Sequence, residues 1–351
     1  MTNQPDLSAS DWFVGLLPNA ANLYIDAGVH SVRILACDAV GTELGRAVIA
    51  SNEDLGSAIC QFGLDQLSEK AGIYITGKLQ EVVHRYIGRG YVVLGSAALW
   101  SAARSLLEDK PLGIIEISAS GYMAIGVDTG GNLKDDMLAV NPRCGAGSGV
   151  NLDRVLQKLN IQREAVDALL SDYLGEANQE RRCNVDIRAD RCGVFASSAT
   201  ISDKNQGIPL DFALAVTLKS EVLKACKKLA PGFDTVWLSG GIFAWQYARN
   251  CAQDYLESVG TTDVRYDEGG RFPLLGLQHL RETIGDGNFA QPDRRVVQIP
   301  KPTEYPTMRG VKAALEGRHL YYRIPNAAPN DFDAGQLRNT PVMLGLDVGS
   351  S

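Results

Sequence analysis

The chain has 351 residues, 45% of them hydrophobic and 21% charged, with a formal net charge of -7. That length and apolar content can fill a large core and predict more than one lobe. The acidic balance argues against nucleic acid as the main partner. No apolar run reaches the roughly 18 residues needed to cross a bilayer, and residues 1–13, MTNQPDLSASDWF, lack the basic and apolar segments of an export signal.

Residues 22–37, NLYIDAGVHSVRILAC, predict two strands joined by a tight turn at Gly28. Residues 41–50 continue as a strand. Leu55, Ile59, Phe62 and Leu67 recur at helical spacing and predict a helix from Asp54 to about Lys70. GIYITGK (72–78) reads as a short buried strand, and 79–109 as helix interrupted by the strand-like YVVLGS. A second round opens at Pro111, where LGIIEISASGYMAIGVD (112–128) is again strand, glycine turn, strand. Helices are predicted over Asn151–Leu159, near 162–174, after CGVFASSATISD and across 208–229. Residues 176–191 are polar and charged and read as an exposed loop. TVWLSGG (235–241) is a strand ending in a glycine pair, and FPLLGLQHLRETIG (272–285) is a closing helix.

From residue 288 the texture turns rich in Pro, Asn and Asp, which is linker-like. The expected organisation is an N-terminal extension (1–18), lobe I (19–111), lobe II (112–287), a Pro-rich linker (288–340) and a last segment (341–351). That segment, ending in LGLDVGSS, repeats the D-x-G pattern of 24–33. Its simplest reading is the start of a second copy of the module. The plainer alternative is a short C-terminal strand.

IDAGVHSVR carries Asp26, Gly28 and Ser31. In a hairpin such residues suit phosphate: glycine admits close backbone approach, amides and a hydroxyl bind oxygens, and a carboxylate handles Mg²⁺ or its water. D-x-G is also a common hairpin turn. The stretch resembles the first phosphate loop of the acetate kinase, sugar kinase, Hsp70 and actin superfamily. Val29 and His30 stand where that loop has small hydroxyl residues, and Arg33 replaces the usual Lys. In the second hairpin Glu116 sits near the place of the usual Asp, and Ser118, Ala119 and Ser120 replace a glycine-rich turn. VWLSGGIFAWQ (236–246) resembles the superfamily's adenosine motif, in which Gly240 and Gly241 let adenine and ribose pack on the backbone. A strand-to-helix turn that needs small residues for packing gives the same pattern.

The seven cysteines are Cys37, Cys60, Cys144, Cys183, Cys192, Cys226 and Cys251. An odd count, wide spacing and no export signal argue against a disulfide framework, and most are expected to be reduced, buried thiols. Two stand in glycine-bearing motifs: Cys144 in NPRCGAGSGVNLDRVL (141–156) and Cys192 in DRCGVFASSATIS (190–202). Taken with the glycine pair downstream, these segments resemble the two cysteine segments of the BadF/BadG/BcrA/BcrD ATPases. That family includes activators of 2-hydroxyacyl-CoA dehydratases and subunits of benzoyl-CoA reductase. The resemblance spans residues 22–285 approximately. Acidic residues that usually follow the second cysteine are replaced by Ser197 and Ala199.

The resemblance implies an α/β fold of two ribonuclease H-like lobes, of the actin, Hsp70 and sugar kinase type, with a nucleotide cleft between them. It implies one [4Fe–4S] cluster held by Cys144 and Cys192 from each of two subunits, or from this module and a second one. It implies ATP or ADP with Mg bound by Asp26, Gly28, Ser31, Gly147, Ser148, Gly240 and Gly241, with Asp26 catalytic. The implied partner is a dehydratase or reductase component that receives an electron. A cytoplasmic location, no nucleic acid and no membrane contact are expected. The altered hairpins make this module's nucleotide site partly degenerate. A non-catalytic regulatory or scaffold module of the same fold and a small-molecule kinase are the other readings. Cys144 and Cys192 as plain buried thiols, or a zinc site that adds Cys183, are the alternatives for the cysteines, although no His lies close in sequence. His30 is the notable histidine. His84, His279 and His319 read as surface or packing residues.

Overall fold

Two apolar stretches are buried along their whole length: β1 (Asn22–Ala27) and β6 (Leu112–Ile117). Burial on both faces is what a central strand of a sheet covered on both sides requires, here with one antiparallel and one parallel neighbour. In the computed structural model each is the middle strand of a five-stranded sheet. The structure describes residues 9–50, 55–64, 69–141, 149–188 and 193–285.

The first sheet adds β2 (Ser31–Cys37), β3 (Glu43–Ala50), β4 (Gly72–Thr76) and β5 (Tyr91–Val92), in the order β3-β2-β1-β4-β5. The second adds β7 (Tyr122–Val127), β8 (Leu133–Val140), β9 (Thr235–Ser239) and β10 (Asp263–Tyr266), in the order β10-β9-β6-β7-β8. The plan is therefore laid down twice. A three-stranded antiparallel meander is extended by two parallel strands on the far side of its first strand.

The helices in chain order are α1 (Ala9–Val14), α2 (Leu55–Gln61), α3 (Gln80–Ile87), α4 (Gly95–Ser105), α5 (Gly149–Leu159), α6 (Val166–Leu169), α7 (Gln179–Cys183), α8 (Gly193–Asn205), α9 (Leu210–Cys226), α10 (Gln246–Ser258) and α11 (Phe272–Ile284). The outer face of the first sheet packs Ile25, Ile34 and Ile73 against α1, α2 and α3 residues such as Phe13, Ile59 and Val83. The outer face of the second packs against α9 and α10 through Ile115, Leu218, Tyr247 and Leu256. α4 and α11 pack on each other and on both sheets. Leu274 and Leu277 meet Tyr24 and Tyr74, while Leu99 and Phe272 meet Ile114 and Val127.

Several segments depart from the sequence expectation. The helix predicted from Asp54 to about Lys70 ends at Gln61. Gly63, at φ +65°, turns the chain, and Phe62 and Leu64 reach the core from that turn. The helix expected at 162–174 is broken into 3₁₀ turns around the four-residue α6. α10 and β10 were not anticipated by the hydrophobic pattern. Phe13, from the expected N-terminal extension, is fully buried and lies 6.1 Å from the Phe62 ring.

The loop expected at 176–191 contains α7 and a buried cation. Arg182 is 3% exposed, pairs with Asp254 at 2.9 Å, and donates to the Tyr173 and Gly175 carbonyls. Lys219 of α9 is also buried and donates to the carbonyls of Arg182 (2.6 Å), Cys183 (2.9 Å) and Val185 (2.8 Å). An ammonium at the carbonyl end of a short helix satisfies acceptors that have no partner within the helix. Lys219→Met should remove the charged donor those carbonyls share, although Arg182 O keeps the Val185 amide, and lower stability by about 3 kcal/mol, read by urea unfolding. A loss below about 0.5 kcal/mol, the range of ordinary surface substitutions, would show that they find other partners.

Candidate functional site

The carboxyl ends of β1 and β6 open into a cleft of about 820 Å³. In open sheets ligands sit outside the carboxyl ends of parallel strands, so this is where chemistry is expected. The cleft is walled by the β1–β2 turn (Gly28 to Ser31), the β6–β7 turn (Ser118 to Gly121), Thr76 to Lys78 after β4, the start of α4, and Gly240–Gly241 after β9.

Each central strand places an acid at its fifth position, Asp26 on β1 and Glu116 on β6. Asp26 faces Arg33 across the hairpin and accepts from its Nη1 at 3.1 Å. The equivalent cross-strand neighbour of Glu116 is Met123, which brings no charge. Burial raises Asp26 above the usual carboxylate range, and Arg33 only partly offsets it. Burial pushes Glu116 up to about 7, helped by the nearby charges of Asp26 and Asp267. Asp267 is 2% exposed and accepts from Ser239 Oγ at 2.8 Å and from the Phe272 amide at 3.1 Å.

The hairpin turns are held differently. The Gly28 amide donates to Ser31 O at 3.0 Å, and a Cβ at Gly28 would lie 2.7 Å from that oxygen, so the turn needs glycine. In the second turn Ser118 Oγ donates to Gly121 O at 3.1 Å and accepts from the Ser120 amide at 3.3 Å. α5 starts against this turn, with the Gly149 and Val150 amides donating to Ser118 O and Ala119 O at 2.9 and 3.1 Å. Gly240, at φ +101°, lies against β6, where a Cβ would come 2.2 Å from Ile117 O. Gly241 is different: the nearest atom to its Cβ position is Arg163 Nη2 at 4.0 Å, so it faces open cleft.

Further polar groups line the same space. Thr76 Oγ1 and Gln80 Oε1 are buried and have no hydrogen-bond partner among the described residues. His30 Nε2 lies 2.8 Å from Asp153 Oδ2 of α5, and Arg163 Nη1 is paired with the other oxygen of Asp153. Arg163 Nη2 donates to Gly241 O at 3.1 Å.

Of the sequence-derived site residues, Asp26, Gly28, Ser31, Gly240 and Gly241 all line this one cleft. Cys144, Gly147, Ser148 and Cys192 lie outside the described residues. α5 and α8, the helices that follow the two cysteine segments, pack on each other, with Lys158 Nζ 3.4 Å from Ser197 Oγ. Cys37, Cys226 and Cys251 are buried thiols raised by burial, Cys37 to about 11 and Cys251 to about 12, as expected of inert core cysteines. Cys60 and Cys183 are exposed. His84 bonds Gly90 O at 3.2 Å, and His279 bonds Ser101 Oγ at 3.0 Å. Asp153, Arg163, Thr76 and Gln80 were not singled out from sequence. Among the described residues no group of three or more His, Cys, Asp or Glu side chains is arranged to hold a metal, and no helix is long and apolar enough to cross a membrane.

Solved structures of similar fold include two activators. One is an activator of 2-hydroxyisocaproyl-CoA dehydratase from Clostridium difficile with bound ADPNP. It is 15% identical, covers 74% of this chain and 93% of its own, and has a TM-score of 0.57. The other is component A of (R)-2-hydroxyglutaryl-CoA dehydratase from Acidaminococcus fermentans, 15% identical, covering 74% and 96%, with a TM-score of 0.56.

This chain shares their fold.

It is the α/β fold of two ribonuclease H-like lobes expected from sequence, of the actin, Hsp70 and sugar kinase type. No protein-family model and no curated protein sequence matches the chain.

Proposed function

We propose that this chain is a nucleotide-binding activator module, an ATP-dependent electron-transfer component for a 2-hydroxyacyl-CoA dehydratase or benzoyl-CoA reductase-like enzyme. The observation that carries the reading is the convergence of both hairpin turns and Gly240–Gly241 on one cleft. The cleft residues fit a nucleotide with Mg. Gly241 leaves room beside the backbone, Thr76 Oγ1 and Gln80 Oε1 are buried polar atoms without partners among the described residues, and Asp26 and Glu116 put carboxyl groups at the strand ends. Adenosine would rest on Gly240–Gly241, and the phosphates would lie between the hairpin turns. One of the two activator structures of this fold has bound ADPNP, which supports nucleotide binding as the role of the cleft.

Gly241→Val tests it. The side chain has space, so stability should hold within about 1 kcal/mol, while binding of Mg·ADP, measured by isothermal titration, should fall at least about tenfold. Unchanged binding would move the nucleotide elsewhere.

The cluster half of the reading rests on the sequence resemblance and on the packing of α5 against α8. Cys144 and Cys192 would hold a [4Fe–4S] cluster together with two further cysteines, from a second subunit or from a second module after residue 341. Such a cluster, when bound, supplies one-electron transfer. A twofold axis turns two thiolates into four. Anaerobic purification with iron and sulfide analysis checks this. Four irons per pair of modules, lost in Cys144→Ala or Cys192→Ala, is the expected result. A colourless protein after reconstitution, with the chain extended past Ser351, would contradict it.

One observation favours a second reading, a non-hydrolysing module of the same fold. His30 stands where the phosphate loop would carry a hydroxyl, and it is engaged by Asp153. In that reading Mg·ATP binds and is not turned over.

A further inference from the structure

Asp153 is the one acidic side chain of α5, and both of its oxygens are committed. Oδ2 lies 2.8 Å from His30 Nε2, and Oδ1 is paired with Arg163 Nη1. His30 belongs to the first hairpin turn, between Gly28 and Ser31. Arg163 continues the chain of contacts to Gly241 O, at 3.1 Å. One line of polar contacts thus runs across the cleft, from the first hairpin through α5 to the glycine pair.

The pairs are solvent-accessible: the side chains of His30, Asp153 and Arg163 are 53%, 26% and 39% exposed. Ion pairs of that kind contribute little and exchange readily. Arg163 does not depend on Asp153 for its position. Its guanidinium stacks 4.5 Å from the Trp245 ring centroid, and Trp245 Nε1 donates to its carbonyl at 2.9 Å. A guanidinium fixed in this way, facing a cleft and partnered by a displaceable carboxylate, is arranged to receive another anion. Phosphate oxygens form shorter and stronger charge-assisted bonds with such donors than neutral acceptors do.

We propose that Asp153 stands in for a ligand phosphate in this cleft. It holds His30 and Arg163, and an entering polyphosphate group takes these two partners from it. The proposal rests on the nucleotide reading above and adds to it a specific consequence. Asp153 lowers the affinity of this chain for phosphorylated ligands, because its carboxylate competes for their donors and repels them. Adenosine, which lacks phosphate, is indifferent to it.

The test is isothermal titration of the full chain with Mg·ADP, inorganic pyrophosphate and adenosine, at one fixed salt concentration. The proteins are wild type, Asp153→Asn, Asp153→Ser and Arg163→Gln, each first shown by circular dichroism and thermal unfolding to be folded. Two Asp153 variants are used so that misfolding of one leaves the other to decide. In an Asp153 variant, Mg·ADP and pyrophosphate should bind about tenfold tighter and adenosine within about twofold of wild type. Arg163→Gln should bind Mg·ADP about tenfold more weakly. If wild type binds Mg·ADP and the Asp153 variants bind it no more tightly, the proposal is overturned and the nucleotide reading stands. If adenosine gains as much as ADP, the carboxylate is not in the place of phosphate. If no protein binds any of the three probes, the nucleotide reading fails and the proposal with it.

Discussion

Gly276→Ala is expected to cost about 4 kcal/mol of stability, far more than one methyl group ordinarily does. A Cβ at Gly276 would lie 1.8 Å from Ala98 O, 2.7 Å from Ala98 C and 3.1 Å from Ala102 N. All three are backbone atoms of α4, so no rotamer change can make room. The helices must separate, and between them they pack on both sheets, α4 mainly on the second and α11 mainly on the first. Leu274 and Leu277 would draw away from Tyr24 and Tyr74, and Phe272 and Leu99 from Ile114 and Val127. Interiors are close-packed, so a shift at the crossing loses contacts in two cores at once. Gly95→Ala, at the start of α4, is the control. Its Cβ would meet only Met123 Cε at 3.7 Å, and a glycine-to-alanine change in a helix is neutral or stabilising by up to about 1 kcal/mol. Urea unfolding of both variants decides. A Gly276→Ala protein within about 1 kcal/mol of wild type would show that α4 and α11 slide apart freely.

Glu116→Gln should stabilise the protein at neutral pH by about 3 kcal/mol and by under about 1 kcal/mol at pH 5. The cause is the position of Glu116 at the floor of the cleft. It is 8% exposed, with Asp26 and Asp267 near it and only Arg33 to offset them. Its carboxyl is held up to about 7, against an ordinary value of 4.5. The folded state therefore binds this proton more tightly than the unfolded state does. The contribution is fully present below pH 4.5 and is lost as pH rises through about 7. Glutamine keeps the shape and has no proton to lose, so the gap between variant and wild type opens over that window. Titrating groups remote from Glu116 act in both proteins and cancel in the difference, whereas Asp26 and Asp267 are coupled to it and contribute to the gap. Urea midpoints at pH 5 and pH 7.5 give the result. A gap that does not change with pH would mean Glu116 is ionised in the folded protein throughout.

The framework was legible because burial on both faces leaves a plain trace. LYIDA, after Asn22, and LGIIEI are nearly continuous apolar runs, each interrupted near its carboxyl end by the acid that reaches the cleft. The glycine pair was legible because a strand that must pass close to β6 and then open to the cleft has few other options at Gly240. The turn after α2 was misread because Phe62 and Leu67 continue the helical spacing of Leu55 and Ile59 past a left-handed turn at Gly63. α10 carries its buried face as Tyr247, Ala248, Cys251, Ala252 and Leu256, a periodicity diluted by polar neighbours and by small residues. β10 is four half-buried residues on a sheet edge, too short to show alternation.

What sequence could not supply was pairing at a distance. Arg182 reads as one charge in a polar run, and only the fold brings Asp254 to it from 72 residues away. The same holds for His30 and Asp153, which come from a hairpin turn and a helix that follows the second meander. Composition registers such side chains as solvated charges, because burial and partner are both properties of the assembled chain.

The proposed nucleotide site joins the two hairpin turns and the glycine pair. Amide hydrogen exchange with and without Mg·ADP reads all three segments in one experiment. Exchange should slow at 28–31, 118–121 and 240–241 together, at the same ADP concentration. Protection confined to one segment, or absent from all three at millimolar Mg·ADP, would contradict it.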